Sequence, residues 1–242
     1  MLTILNHKIH LSKILTAIYS DSMLSPVLGF KGGTAAYLFY QLPRFSVDLD
    51  FDLIDPGKIS KKNITKLASR LTDILSREYI IIEKSLKLHT LFWLISYEKG
   101  QQKIKVEISI RYYPNIYVSR NYYGVNIPVM KLSDMIAHKL VSITDRKIAA
   151  NRDLYDAHYF LNLKDILDIN YEIIRILTGQ KPLEFYLSLL KHIEMVDNNR
   201  ILSGLGEVLD GRQKLWVKAH LLKELKNRIL FLKDMVKENA KK

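Results

Sequence analysis

The chain has 242 residues, 48% of them hydrophobic and 26% charged, the proportions of a soluble globular protein with one large domain or two smaller ones. It contains no cysteine, which excludes disulfides, thiolate metal sites and a cysteine nucleophile. Lysine and arginine number 37 against 25 acidic residues, a net charge of +12, so a polyanion such as RNA, DNA or a nucleotide is the expected kind of partner.

Residues 7–24 carry apolar side chains at helical spacing (Ile9, Ile14, Leu15, Ile18) and predict a helix that Pro26 ends. A short apolar run at 27–30 precedes Lys31-Gly32-Gly33, and the Ala-rich segment 34–41 predicts a short helix before Pro43. The longest charge-free stretch, residues 32–43, falls far short of the roughly 20 apolar residues of a membrane helix. The first residues also lack the pattern of a secretory signal, so a cytoplasmic protein without membrane association is expected. Residues 47–54 alternate acidic and apolar side chains with the period of a strand. A helix is predicted over 59–77, then strands over 79–86, 91–97 and 104–110, the last two joined by a turn at 98–101. Residues 112–126 are aromatic and irregular, which predicts a loop followed by a short strand.

From Leu132 the period becomes helical. Helices are expected over 132–146 (capped by Ser133 or Asp134), 153–162, 169–178, 183–196 and 213–238. Leu215, Leu222, Ile229 and Val236 recur every seven residues in the last, with Leu225 and Leu232 between them, as in a helix docked in a bundle. The change of period divides the chain into a mixed α/β domain at 1–130 and a helical domain at 131–242.

The chemistry concentrates in Gly32-Gly33-Thr34, Asp48-Leu49-Asp50 and Glu107. Two carboxylates two residues apart on a strand point to one face, where they repel unless a cation lies between them. Mg²⁺ takes oxygen ligands, commonly one or two carboxylates plus substrate phosphates. Glu107, flanked by apolar residues on another predicted strand, would be the third acid, and three acids can hold two metals across an in-line phosphoryl displacement. Glycines between a strand and a helix let the backbone approach a phosphate, and the helix N-terminus adds N–H donors. No Gly-Lys-Ser/Thr follows, so this is not a Walker A loop.

Lys31-Gly32-Gly33-Thr34-Ala35 followed by Arg44-Phe45-Ser46-Val47-Asp48-Leu49-Asp50-Phe51-Asp52 resembles the AbiEii/AbiGii toxin family, within the DNA polymerase β-like nucleotidyltransferase superfamily. Arg152-Asp153-Leu154-Tyr155-Asp156, preceded by Lys139, is similar to that family's C-terminal motifs, and the resemblance spans about residues 25–165. Val47 departs from the polar or acidic residue that family members often carry there. The resemblance implies an α+β fold with a mixed sheet followed by a helical bundle. It implies Asp48, Asp50 and Glu107 as metal ligands, Gly32, Gly33 and Thr34 as the triphosphate cradle, Lys139 and Arg152 as phosphate contacts, and Asp153 as a residue linked to activity.

It further implies a Mg²⁺-dependent toxin that transfers a nucleoside monophosphate from an NTP to RNA, with tRNA as the expected acceptor, paired with a neighbouring antitoxin. A silent nucleotide- or RNA-binding module, or transfer to a protein, are the alternatives. Ten basic against three acidic residues over 211–242 favour RNA, and Arg111, Arg120 and the tyrosines among residues 112–123 are of the types that stack on unpaired bases.

Overall fold

The computed structural model describes residues 4–87, 89–98, 103–163 and 168–239. It divides into two compact units, Met1–Lys131 and Leu132–Lys242. The first unit carries a seven-stranded mixed sheet in the order β3-β4-β5-β2-β1-β7-β6. Its strands are β1 (Leu28–Lys31), β2 (Leu49–Leu53), β3 (Ile80–Lys87), β4 (Thr90–Ser96), β5 (Lys103–Ser109), β6 (Tyr117–Tyr122) and β7 (Val125–Met130). Its helices are α1 (Ile4–Tyr19), α2 (Gly32–Phe39) and α3 (Lys61–Leu75). β2 pairs antiparallel with β1 and parallel with β5, and β1 pairs parallel with β7.

Alternation along the strands sorts the sheet into two faces. Leu28, Phe30, Leu49, Phe51, Val106, Ile108 and Trp93 are buried, and Trp93 donates its indole N–H to Thr72 of α3. A side chain the size of Phe51 contributes roughly 1.5–3 kcal/mol when fully buried. Lys31, Asp50, Glu107 and Phe92 hold mutually paired positions across β1, β2, β5 and β4. They therefore lie in one row on the opposite face.

The helix α1 ends at Tyr19 rather than running to residue 24. Asp21 explains the early stop: its carboxylate accepts the backbone N–H groups of Met23 and Leu24 and the Nε–H of Arg70, which favours a turn over another helical turn. The segment expected to be a loop holds β6 and the first two residues of β7, and the rest of β7 is the short strand expected after it. β6 and β7 pair antiparallel around Tyr123-Gly124, both with positive φ, as a two-residue primed turn requires. Of the turn expected at 98–101, only Glu98 is among the described residues.

The second unit packs α4 (Leu132–Thr144), α5 (Asn151–Leu161), α6 (Tyr171–Thr178), α7 (Pro182–Glu194) and α8 (Gly211–Asn239). α4 begins at Leu132, so Ser133 and Asp134 stand in its first turn rather than capping it. Asp134 instead accepts Asn170 Nδ2–H, while the Asn170 side-chain Oδ1 accepts the N–H groups of Glu172 and Ile173 and caps α6. The buried stripe of α8 is Val217, Leu221, Leu225, Ile229 and Leu232, and Leu215 is 72% exposed. The helix thus turns a four-residue spacing inward instead of the seven-residue repeat.

Candidate active site

β1 ends at Lys31 and α2 begins at Gly32 without an intervening loop. No side chain caps the α2 N-terminus, so its first N–H groups receive no side-chain acceptor of the usual capping kind. Gly32 has φ +79°, and a Cβ there would stand 2.3 Å from Asp50 Oδ2. Only a residue without a side chain fits: the backbone is left-handed and the carboxylate lies directly against it. The first acid strand and the Gly-Gly turn are thereby in contact.

Thr34 fixes the other end of this contact. It is fully buried, and its hydroxyl donates to the carbonyl oxygen of Asp48. The sequence assigns that hydroxyl to phosphate; the structure shows it engaged in tying α2 to the residue that opens the acid motif. Asp48 lies just before β2, and its Oδ1 accepts Lys105 N–H of β5 at 3.4 Å. Asp50 pairs in register with Glu107. Asp48, Asp50 and Glu107 are all half-buried; the register sets Asp50 beside Glu107, while Asp48 meets β5 at the Lys105 N–H.

Arg44 and Ser46 lie against Gly33. Arg44 is buried and donates to the carbonyl of Phe45, which puts a guanidinium beside the start of α2. His7 of α1 is also buried and donates Nε2–H to the carbonyl of Val47 at 2.9 Å, one residue before Asp48. Burial holds its imidazole below the ordinary 6.5, opposed by that hydrogen bond and by the Asp48 charge. Asp52, two residues beyond Asp50, is 3% exposed and accepts from Lys31 Nζ, Tyr117 OH and Asn115 Nδ2. Burial and the Asp52 charge push the Tyr117 phenol far above its usual range, so it remains a donor.

Sequence reasoning left these four side chains without roles. Arg44, Ser46 and Asp52 stand inside the quoted motif, and that was the available signal. His7 had none, because its partner is a backbone carbonyl 40 residues away.

Lys139, Arg152 and Asp153 belong to the second unit. Lys139 Nζ lies 3.0 Å from Asp153 Oδ1 and 2.8 Å from Asp156 Oδ2. Asp156 is fully buried, and the one-turn spacing of the two acids lets a single ammonium bridge both. Arg152 is exposed in the first turn of α5.

The donor set at the β2–β5 junction is all oxygen, which suits Mg²⁺. Among the described residues no group of three or more histidine, aspartate or glutamate side chains is placed so that it could hold a metal ion, so Asp48, Asp50 and Glu107 are not gathered into a three-ligand set. The Asp50–Glu107 pair, in contact with the Gly32 backbone, still fits an ion that takes part of its shell from substrate phosphates.

A mixed sheet presenting a strand–Gly-Gly–helix turn against an Asp-x-Asp strand and a neighbouring glutamate defines a protein of the nucleotidyltransferase class. Residues 13–203 match the profile of the family described as "Nucleotidyl transferase AbiEii toxin, Type IV TA system", and the chain belongs to that family. The fold is similar to two crystal structures from Helicobacter pylori. One, of a proposed nucleotidyltransferase, has a TM-score of 0.61 and 20% identity over 98% of both chains. The other, of JHP933, has a TM-score of 0.60 and 20% identity over 99% of this chain and 96% of that one. A search of the curated proteins finds no match. Membership of a toxin–antitoxin family implies an antitoxin as partner. Among the described residues no helix is long and apolar enough to cross a membrane.

Proposed function

We propose that this nucleotidyltransferase toxin transfers a nucleoside monophosphate from an NTP to RNA, with tRNA as the acceptor and Mg²⁺ as the required ion. The observation that carries the reading is the contact between the Gly32 backbone and Asp50, which is itself paired with Glu107. A triphosphate received by the α2 N-terminus then lies beside the carboxylate row. Asp48, Asp50 and Glu107 would share Mg²⁺ with the substrate's phosphate oxygens, where it supplies charge neutralisation. Gly32 and Gly33 receive the phosphates on backbone N–H groups, and Arg44 adds positive charge beside Gly33. Thr34 holds the carbonyl of Asp48 and His7 that of Val47, on either side of the Asp48 Cα, and so they set the position of the first acid. The acceptor hydroxyl bonds to the α-phosphorus, the bond to the β-phosphate breaks, and pyrophosphate and a proton leave.

RNA is favoured by the net charge of +12. In the last helix, Lys226 pairs with Glu194 and Arg228 donates to the carbonyl of Leu161. Lys218 and Lys223 are exposed and are the better candidates for phosphate contacts. With a nucleotide and tRNA as its substrates, the proposed reaction would run in the cytoplasm.

The test incubates the protein with each labelled NTP, Mg²⁺ and total tRNA. Label in tRNA that disappears with EDTA is the expected result. Label in protein instead makes the acceptor a protein, and no label in either leaves a binding module.

A further inference from the structure

One face of α1 belongs to the core of the first unit, with His7, Leu11, Ile14, Leu15 and Ile18 buried. Another face lines an open groove of about 520 Å³ beside the tip of the β6–β7 hairpin. Leu5, Ile9, Ser12 and Thr16 form its floor at i, i+4, i+7 and i+11, a row running about 16 Å along the helix. Lys8 and Lys13 flank that row, and Tyr123 joins it from the hairpin. The apolar members stand in water: Leu5 is 72% exposed, Ile9 46% and Tyr123 78%.

Tyr123 holds this place at a cost. Its φ of +47° is a left-handed conformation that Asn or Gly adopts freely and a bulky residue does not. Its ring meets Tyr122 edge-on, 4.7 Å between centroids, and yet is largely open to solvent. A strained aromatic residue on an exposed apolar patch points to recognition rather than to folding.

The lining selects the occupant. Its hydroxyls are engaged within the protein, Ser12 Oγ with Tyr122 OH at 2.7 Å and Thr16 Oγ1 with the Ser12 carbonyl at 3.0 Å. What it offers outward is aliphatic and aromatic surface and two ammonium groups. Lys8 Nζ lies 5.4 Å from the Tyr37 ring centre, and Lys13 Nζ lies 3.3 Å from a Glu78 carboxylate in an exposed pair, a kind that yields readily to a better partner. α1 itself contains no aspartate or glutamate, so the charge of this face is met by an acidic ligand. Apolar contacts at helical spacing are what a second helix packs against. A single-stranded nucleic acid uses successive stacking rings along a basic track, whereas this groove presents one ring.

We propose that the groove between α1 and Tyr123 is the docking site for an acidic amphipathic helix of a protein partner. Leu5, Ile9 and Tyr123 receive its apolar face, and Lys8 and Lys13 meet its carboxylates. None of these residues belongs to the acid motif or to the phosphate cradle.

The experiment titrates the full chain into a fluorescent helical peptide of about 18 residues, with leucines at i, i+4, i+7 and i+11 and glutamates flanking them, and follows anisotropy. A control peptide carries lysine for every glutamate, and a single-stranded RNA of about 12 nucleotides is run alongside. Wild type should bind the acidic peptide at least about tenfold more tightly than the basic one, with the preference shrinking at high salt. Ile9→Glu and Lys8→Glu/Lys13→Glu should each weaken binding about tenfold or more. Tyr123→Asn, which suits the turn, should weaken it about threefold with the melting temperature unchanged or raised.

No binding in wild type, equal binding of the two peptides, or undiminished binding in Ile9→Glu overturns the proposal. RNA binding that is lost in Ile9→Glu and Tyr123→Asn also overturns it and makes the face a nucleic-acid surface. Self-association in the ultracentrifuge that Ile9→Glu abolishes overturns it too, in favour of an interface between copies of the chain. Should Ile9→Glu fail to fold by circular dichroism, Leu5→Glu, at the more exposed position, decides in its place.

Discussion

Asp50 and Glu107 are direct partners in the parallel β2–β5 ladder, although 57 residues separate them in sequence. Two half-buried carboxylates side by side destabilise the fold unless something between them is positive. Glu107→Gln should therefore leave the melting temperature unchanged or raised, and Asp50→Asn, whose carboxylate has a further partner in the fold, should remain folded. Nucleotidyl transfer should fall about 100-fold or more, the scale of losing a metal ligand or a charge-stabilising group. Calorimetry and the labelled-NTP assay on the same preparations check both halves. A variant with wild-type turnover excludes that residue from the reaction.

Gly32→Ala should be more harmful than its size suggests. The added methyl would meet Asp50 Oδ2, and the left-handed backbone, φ +79°, costs an L-residue roughly 1–2 kcal/mol. Chemical denaturation should show a loss of at least that order. Gly57→Ala, where the Cβ meets nothing within 4 Å, is the matched control and should be near neutral.

Thr34→Val keeps the shape and removes the donor to the Asp48 carbonyl. Stability should fall by about 1–3 kcal/mol, because a buried acceptor loses its partner. Thr34→Ser should retain most of it. If Thr34 instead contacts phosphate alone, both variants will show wild-type stability and altered NTP affinity only.

Lys139→Met leaves Asp156, which is fully buried, beside Asp153 without the ammonium that bridges them. Breaking a buried pair from one side costs about 3–5 kcal/mol. The compensated variant Lys139→Met/Asp156→Leu should recover much of that loss, as unfolding midpoints will show. If transfer activity stays low in the refolded double variant, the lysine has a role beyond packing.

Acid should weaken the first unit through His7. In the unfolded chain its ring protonates near the ordinary 6.5, and in the fold only at lower pH, because burial opposes the charge. Below 6.5 the unfolded state takes up the proton first, so stability present above that value is lost as pH falls towards the folded-state value. His10 and His158 are shifted the same way by burial. Denaturation midpoints at about pH 7.5 and about pH 5.5 should differ less in His7→Gln than in wild type.

The strands and helices were legible wherever one period ran uninterrupted: β2 from its acid–apolar alternation, and α5 and α7 from helical spacing. The hairpin β6–β7 was not. Its turn places Tyr123 at φ +47°, where Asn or Asp is the usual signal, so β6 read as loop and only the strand after it was expected. In α8 the seven-residue repeat was present but is not the buried stripe, since contact partners choose among several apolar rows. Asp48, Asp50 and Glu107 stand out in the sequence as acids among apolar strand residues, and the register pairs Asp50 with Glu107. The roles of Asp52, Thr34 and His7 depend on which distant backbone or side-chain group each one meets, and no local pattern encodes that.

The four-residue strand β1 has a consequence for how the molecule comes into being. It is flanked by β2 on one side and by β7 on the other, with Phe30 beside Val129, and the acid strand waits for β5 before Glu107 stands next to Asp50. Such pairings between distant segments form late, because long loops must close first. On the ribosome, a nascent chain that has exposed both aspartates still lacks the glutamate and the second neighbour of β1. The candidate site therefore gains its full sheet only once the chain as far as Val129 is in place.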